Sequence, residues 1–348
     1  VLELLLSIIT SFSVILLYGL MPFISSLDIV IYGLSMVVGL LIGMEIPLVT
    51  RINEEYEELK TNISGMMEND YYGSLVGGLF FAFIGIRYLG LTYTPFVVGG
   101  INLTVALILL FSFTKFIPKR NARKLSFAGG GIALLFLFGI IYSNPIVLYG
   151  NQSRFDEKVV FTQQTPYQLI TITQWKEHHQ LYLNQGKQLS TFDEWQYHEP
   201  LVHPVMSLTK GEVDVLVMGA GDGCAIRELL KYDRVRSITL VDLDSMMTNI
   251  GKEHPIFRKL NDDAYFSKKL TVINTDAFNY LETNTSYFDV IIADFPDPRT
   301  VELNKLYSYE FYKLCNHRLR QNGSFITQAT SPYYTTHTFR CIEKTLQK

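Results

Sequence analysis

The sequence predicts two architectures in one chain of 348 residues: an N-terminal multi-span α-helical membrane domain, and a C-terminal doubly wound α/β domain preceded by a small β-sheet. Three observations carry this reading. Five long apolar stretches follow one another before residue 143. From Val213 onward, short apolar strands alternate with helical stretches. Acidic residues then recur just after the strands. Charged residues are 18% of the chain, and the deficit against the roughly 25% of an average soluble protein falls in the first part. The expected domains are 1–143 (membrane helices), 151–204 (small sheet) and 205–348 (catalytic α/β). The chain opens at Val1 inside an apolar run and ends at Lys348 in a helical pattern, so we read both termini as incomplete.

A spanning helix needs about 20 mostly apolar residues. The stretches 4–24, 29–50, 72–90, 95–116 and 125–142 meet that length. Five such runs in succession would not dissolve in water as buried soluble helices. Glycines are frequent in them, at Gly77, Gly78 and 129–131, and small residues let helices approach closely in lipid. Glu45 and Arg87 fall near span ends, where a charged head snorkels to the interface. Segment 51–71 carries Arg51 and Lys60 among many acids, and 115–124 carries Lys115, Lys119, Arg120, Arg123 and Lys124. The positive-inside rule places both in the cytoplasm, and five spans then put the globular part outside.

Residues 159–197 read as short strands, with LITI (169–172) and LYL (181–183) on either side of a polar turn at 175–179. The following strands are 213–218, 237–241, 270–273, 288–293 and 324–328, with helices such as 225–231 and 309–320 between them. Near-continuous apolar strands separated by helices mean a parallel sheet covered on both faces. Ligands bind such sheets outside the carboxyl ends of the strands. There the chain places GAGDG (219–223), then Asp242 and Asp244, then Asp276 and Ala277, then Asp294 and Asp297, and finally Gln328. We expect Asp244 to be a helix N-cap. The other acids crowd one rim, which is costly unless they meet cations or hydroxyls.

The glycine-rich loop narrows the ligand. A pyrophosphate loop has a third glycine where this chain has Cys224, and Asp222 would repel phosphate. A nucleoside without phosphates fits better, with Asp242 placed for a ribose diol. The net charge of -3 gives no reason to expect nucleic acid as a partner. The 3 cysteines, Cys224, Cys315 and Cys341, have no C-x-x-C spacing, and no metal site is expected. His178 and His179 read as exposed turn residues, Cys224 as a small buried residue, and Tyr333 and Tyr334 as a cover for the pocket or a cap for the last helix.

The stretches QYHEPLVHP (196–204), VLVMGAGDG, LVDLD, NTDAF, DVIIADFPDP, KLYSYEFY and TQATSPYY together resemble the spermidine synthases, the polyamine aminopropyltransferases. The likeness runs from about Gln168 to the end, and the apolar first part is similar to the family's bacterial membrane-bound branch. It implies a Rossmann-like, methyltransferase-type sheet and a homodimer. It implies transfer of the aminopropyl group of decarboxylated S-adenosylmethionine to a polyamine such as putrescine, giving spermidine and methylthioadenosine, with no cofactor beyond that co-substrate. By position, the resemblance gives Gln168, Gly219, Gly221, Asp242, Asp276 and Ala277 to the nucleoside. It gives Tyr197, His198, Asp222 and Asp297 to the amines, and Asp294 to catalysis. The chain departs from the family at Ala220, where a further glycine is usual, at LNQGKQ (183–188), and in DPRTVE, which lacks a nucleoside-side proline.

The chemistry agrees with that assignment. An attacking amine must be neutral, and a carboxylate at the attack point accepts its proton. The partners expected are therefore a polyamine, a sulfonium nucleoside and membrane lipid. Two alternatives remain: a methyltransferase using S-adenosylmethionine, which commonly has an acid where this chain has Val217, and a membrane transporter or sensor that only binds polyamine. The sulfonium donor is made in the cytoplasm, so the catalytic domain is expected on that side, against the charge count.

Overall fold

The computed structural model describes residues 1–24, 26–53 and 59–348. The acid-rich part of the first charged segment, 54–58, lies outside the described residues. The chain forms two compact units, Val1–Gln168 and Leu169–Lys348.

In the first unit the helices are α1 (Leu2–Leu20), α2 (Leu27–Asn53), α3 (Leu59–Phe80), α4 (Gly90–Ser112) and α5 (Lys119–Gln152). A π-helical stretch, Phe81–Leu89, continues α3, and strand β1 (Lys158–Gln164) comes last. Among the described residues, four helical segments are long and apolar enough to cross a membrane: Leu2–Leu20, Leu27–Ile52, Thr61–Ser112 and Lys119–Gln152. The third contains two of the apolar stretches. Gly90 divides it, with φ of +67°. The chain turns sharply there: a Cβ on Gly85 would lie 3.0 Å from Thr94, whereas in one continuous helix those residues would be about 13 Å apart. The last apolar stretch belongs to a helix that runs on to Gln152.

Small residues bring these helices together, mostly at glycines other than those the sequence made conspicuous. Gly77, Gly78, Gly130 and Gly131 have nothing within 4 Å of a would-be Cβ. Gly99 instead backs onto Ser7 and Ser11 of α1, Gly139 onto Phe12 and Phe96, and Gly150 onto the main chain of Tyr18. Phe12, Phe96 and Phe136 meet edge to face at 5.6–6.0 Å. That geometry adds about 0.5–1.5 kcal/mol per aromatic pair to their burial.

The second unit begins with an antiparallel meander, β2 (Leu169–Trp175), β3 (His178–Leu183) and β4 (Gly186–Ser190). Its first turn is only Lys176 and Glu177, so His178 and His179 lie in β3, half-buried, rather than in an exposed turn. Then follow α6 (Trp195–Ser207), β5 (Val213–Gly219), α7 (Cys224–Leu230), β6 (Val235–Asp242), α8 (Ser245–Glu253) and α9 (Pro255–Leu260). The chain continues with β7 (Leu270–Asn274), α10 (Ala277–Thr283), β8 (Phe288–Asp294), α11 (Val301–Asn304), α12 (Tyr309–Arg318), β9 (Leu319–Thr327) and α13 (Thr336–Leu346).

These five strands form one sheet in the order β7-β6-β5-β8-β9. Every adjacent pair is parallel. The order reverses between β6, β5 and β8, so the carboxyl ends of β5 and β8 flank the topological switch point where such sheets bind ligands. Val215, Leu216, Val217 and Met218 of β5 are fully buried. Even-numbered and odd-numbered residues of β5 enter two separate apolar clusters, one on each face of the sheet. A strand covered on both faces has no polar side to show, which is why its sequence is an unbroken apolar run.

Candidate active site

Register sets the centre of the site. Gly219 ends β5 directly beside Asp294, which ends β8. Only glycine fits at 219: its φ is +80°, and a Cβ would lie 1.9 Å from the Asp294 carbonyl oxygen. Gly221 makes a second close approach, where a Cβ would lie 2.7 Å from Asp242 Oδ2. The loop is held from behind. Tyr265 donates its hydroxyl to Gly221 O at 2.7 Å, and Asn261 Nδ2 donates to the main chain of Asp222 at 2.8 Å. Ala220 stands in this loop with φ of +59°, a left-handed conformation that a Cβ disfavours.

Asp242 ends β6, and its Oδ1 accepts from the Asp244 N–H at 2.8 Å. Burial pushes its carboxyl up to about 7, with the neighbouring acids Asp244, Asp222 and Asp294 acting in the same sense. Asp244 caps α8 by accepting from Met246 N, as expected. Asp276 is also an N-cap, accepting from Asn279 N on α10, and Lys305 donates to its other oxygen at 2.6 Å. Burial opposes ionisation of Asp276, but the Lys305 contact and the backbone donors outweigh it and hold the carboxyl below its usual range. Ala277 is buried beside it. Gln168 is the last residue of the first unit, and its main-chain oxygen accepts from Thr165 N.

The other acids meet at the carboxyl end of β8. One ligand atom each of His198, Asp222 and Asp294 lie within 4.8 Å of one another. The Tyr197 hydroxyl donates to Asp294 Oδ1. Burial and the nearby Asp222 push the Asp294 carboxyl up to about 6, against the opposing pull of His198 and the Tyr197 hydroxyl. Asp222 accepts from Cys224 N at 2.7 Å, at the start of α7. Asp297 accepts from Gln328 Nε2 at 2.9 Å and lies 3.4 Å from Arg299 Nη2. The Tyr307 hydroxyl ties this region together, lying 3.1 Å from Phe295 O and Pro296 O and 2.9 Å from Gln328 Oε1, with its one proton for the acceptors to share. A cavity of about 400 Å³ opens here, lined by Tyr197, Leu201, Asp297, Ile326, Gln328 and Thr330 among others.

Thus the structure brings together Tyr197, His198, Gly219, Gly221, Asp222, Asp242 and Asp294, with Asp297 lining the same cavity as Tyr197. Asp276 and Ala277 stand one strand further out, beyond β6. Tyr333 and Tyr334 are 89% and 93% exposed and cover nothing. Cys224 is buried, and burial above all holds its thiol well above the usual range. Sequence reasoning missed Glu194 and Arg227 beside His198, whereas Gln328, which the sequence places after the last strand, stands against Asp297 and Tyr307. Glu194 had a signal, since it lies four residues before His198 on the helical spacing.

A spermine/spermidine synthase domain matches residues 194–348. Polyamine aminopropyltransferase 2 of Aquifex aeolicus is 40% identical over 99% of this chain and 69% of its own length. The chain belongs to the polyamine aminopropyltransferase family. A family member from Leptospira interrogans is 37% identical, again over 99% of this chain and 69% of that protein. Among solved structures, spermidine synthase in complex with the transition-state analogue AdoDATO is similar at a TM-score of 0.52 and 26% identity, over 54% of this chain and 64% of that one. Spermidine synthase from Thermotoga maritima is similar at 0.50 and 26%. These likenesses support the Rossmann-like reading of the parallel sheet.

Proposed function

We propose that the protein transfers the aminopropyl group of decarboxylated S-adenosylmethionine to a diamine such as putrescine, giving spermidine and methylthioadenosine. The observation that carries this reading is Asp294. It is a recessed carboxylate at the switch point of the sheet, held by Tyr197 and close to Asp222, and among the described residues neither acid pairs with Lys or Arg. The acceptor nitrogen attacks the methylene beside the sulfonium. The carbon–sulfur bond breaks, its electrons stay on sulfur, and a neutral thioether leaves. The proton of the attacking nitrogen passes to Asp294. Tyr197 occupies Oδ1, which leaves Oδ2 for that proton. Asp222 and Asp297 hold the remaining ammonium groups, while Asp242 takes the ribose hydroxyls and Asp276 and Ala277 complete the nucleoside end. No metal enters the scheme. Product analysis with putrescine, cadaverine and spermidine offered together tests it. An aminopropylated amine and methylthioadenosine are expected, whereas a methylated product would return the methyltransferase alternative.

We further infer that the first unit lies in the cell membrane and that the second faces the cytoplasm, where the donor is made. The apolar helices support the first inference by length and composition. A C-terminal reporter active only outside the cytoplasm would overturn the second. A homodimer is the expected assembly, checked by mass measurement in a lipid nanodisc.

A further inference from the structure

His198 sits at the middle of the acid cluster, 1% exposed. Its Nδ1 lies 2.7 Å from Glu194 Oε2 and 3.0 Å from the Glu194 main-chain oxygen. Both of those atoms are acceptors, so Nδ1 carries a proton. Its Nε2 lies 3.7 Å from Asp222 Oδ1, on the side of Asp294. Glu194 is itself buried and gripped in a fork by Arg227, with Nη1 at 2.8 Å from Oε1 and Nη2 at 3.1 Å from Oε2. Arg227 is fixed in turn by the Leu260 carbonyl at 2.6 Å and by Glu228 at 2.9 Å. The fork therefore cannot swing away without losing four polar contacts. The groups that face the imidazole are Glu194 and Tyr197 from its own helix, Asp222 from the glycine-rich loop, Cys224 from α7 and Asp294 from β8.

We propose that Glu194, clamped by Arg227, is a positioning residue for this reaction: it anchors His198 through Nδ1 so that the Nε2 edge of the ring faces Asp222 and Asp294 as a positive charge. This rests on the aminopropyl-transfer reading above. A fixed positive charge between two carboxylates offsets their repulsion and keeps Asp294 ionised, and thus able to accept a proton, at neutral pH. Charges agree with the geometry. Burial works against a charged His198, but Glu194, Asp222 and Asp294 together raise its imidazole to about 9. Burial likewise opposes the Glu194 carboxylate, yet His198 and Arg227 bring it down to about 2. Without the Glu194 charge, His198 would lose its strongest partner, and Asp294 would titrate at higher pH.

The test is the pH profile of kcat at saturating donor and putrescine for the wild-type protein, Glu194→Gln, Glu194→Asp and His198→Gln. In Glu194→Gln the acid limb is expected to move up by about one pH unit. Turnover then falls about tenfold near pH 6.5 and recovers toward pH 9. Glu194→Asp keeps the charge and should restore much of the wild-type limb. His198→Gln should move the limb by a similar amount, and adding Glu194→Gln to it should move it no further. An acid limb in Glu194→Gln that stays where the wild type has it, whatever the loss of rate, overturns the proposal. If Glu194→Gln does not fold, His198→Gln is read in its place: an acid limb that stays at the wild-type position overturns the proposal. Wild-type protein that makes no aminopropylated product rejects the underlying reaction instead, so the two failures are distinct.

Discussion

The two ends of one parallel sheet treat recessed acids in opposite ways. At the amino end, Asp214 of β5 is 8% exposed and surrounded by donors. Arg236 and Arg320 bind it, Ser237 donates to it at 2.7 Å, and Arg320 also reaches Asp289. The Arg236 hydrogen bond above all holds the Asp214 carboxyl well below its usual range, against burial. At the carboxyl end, Asp294 and Asp242 are raised to about 6 and about 7. Neither makes an ion pair with Lys or Arg among the described residues; the basic group near Asp294 is His198. The same residue type thus serves stability where the chain supplies its own cations and function where it withholds them. A carboxylate left short of partners in a recess is a place for a ligand's ammonium and hydroxyl groups.

The largest expected effect separates the two ends by activity. Asp294→Asn should lower turnover by about 10²- to 10⁴-fold, since it removes the proton acceptor. Retention of more than about a tenth of the wild-type rate contradicts the base role. The same change should raise thermal stability above pH 6. The folded-state pKa of Asp294 lies above its unfolded value, so the ionised form destabilises the fold as pH rises through about 6. Asp214→Asn should do the reverse. It leaves Arg236 and Arg320 without their shared charge and should cost about 2 kcal/mol of stability at neutral pH, with kcat changed less than about threefold. Because the folded pKa of Asp214 is depressed, its contribution is present above the unfolded carboxylate pKa near 4 and is lost as pH falls below it. Thermal unfolding of the two variants from pH 3 to pH 8 therefore gives curves that diverge with opposite sign. The smallest effect concerns the loop that joins β5 to α7. Ala220→Gly relieves a left-handed alanine and should stabilise the protein by about 1 kcal/mol, with nucleoside affinity unchanged. A loss of stability would mean that the Ala220 methyl, 6% exposed, packs usefully.

Much of the carboxyl end was legible in sequence. Fully buried parallel strands announce themselves as apolar runs, and the residue after each run falls at the ligand-binding edge. Asp222, Asp242 and Asp294 were found that way. Asp276 shows what that rule misses. Lys305, 29 residues on, neutralises it, and no local spacing encodes that contact. Glu194 and Arg227 are 33 residues apart and meet because α6 packs beside α7. The first unit was legible as apolar helices, but which glycines make close contacts depends on the rotation of each helix about its axis. Its low-contrast composition leaves that rotation unmarked, so Gly99, Gly139 and Gly150 did not stand out.

The carboxyl end is tested most directly by its preference for charge. Decarboxylated S-adenosylmethionine and S-adenosylmethionine differ by one carboxylate on the chain that Asp222, Asp294 and Asp297 would surround. At an effective dielectric near 20, unit charges about 4 Å apart repel by about 4 kcal/mol, nearly a thousandfold in affinity. Calorimetry of both donors with the detergent-solubilised protein should find the decarboxylated form tighter by two to three orders of magnitude, about 10²- to 10³-fold. Asp222→Asn should narrow the gap. Equal affinities would contradict the account, because they would mean that the acids at this end of the sheet do not face the ligand.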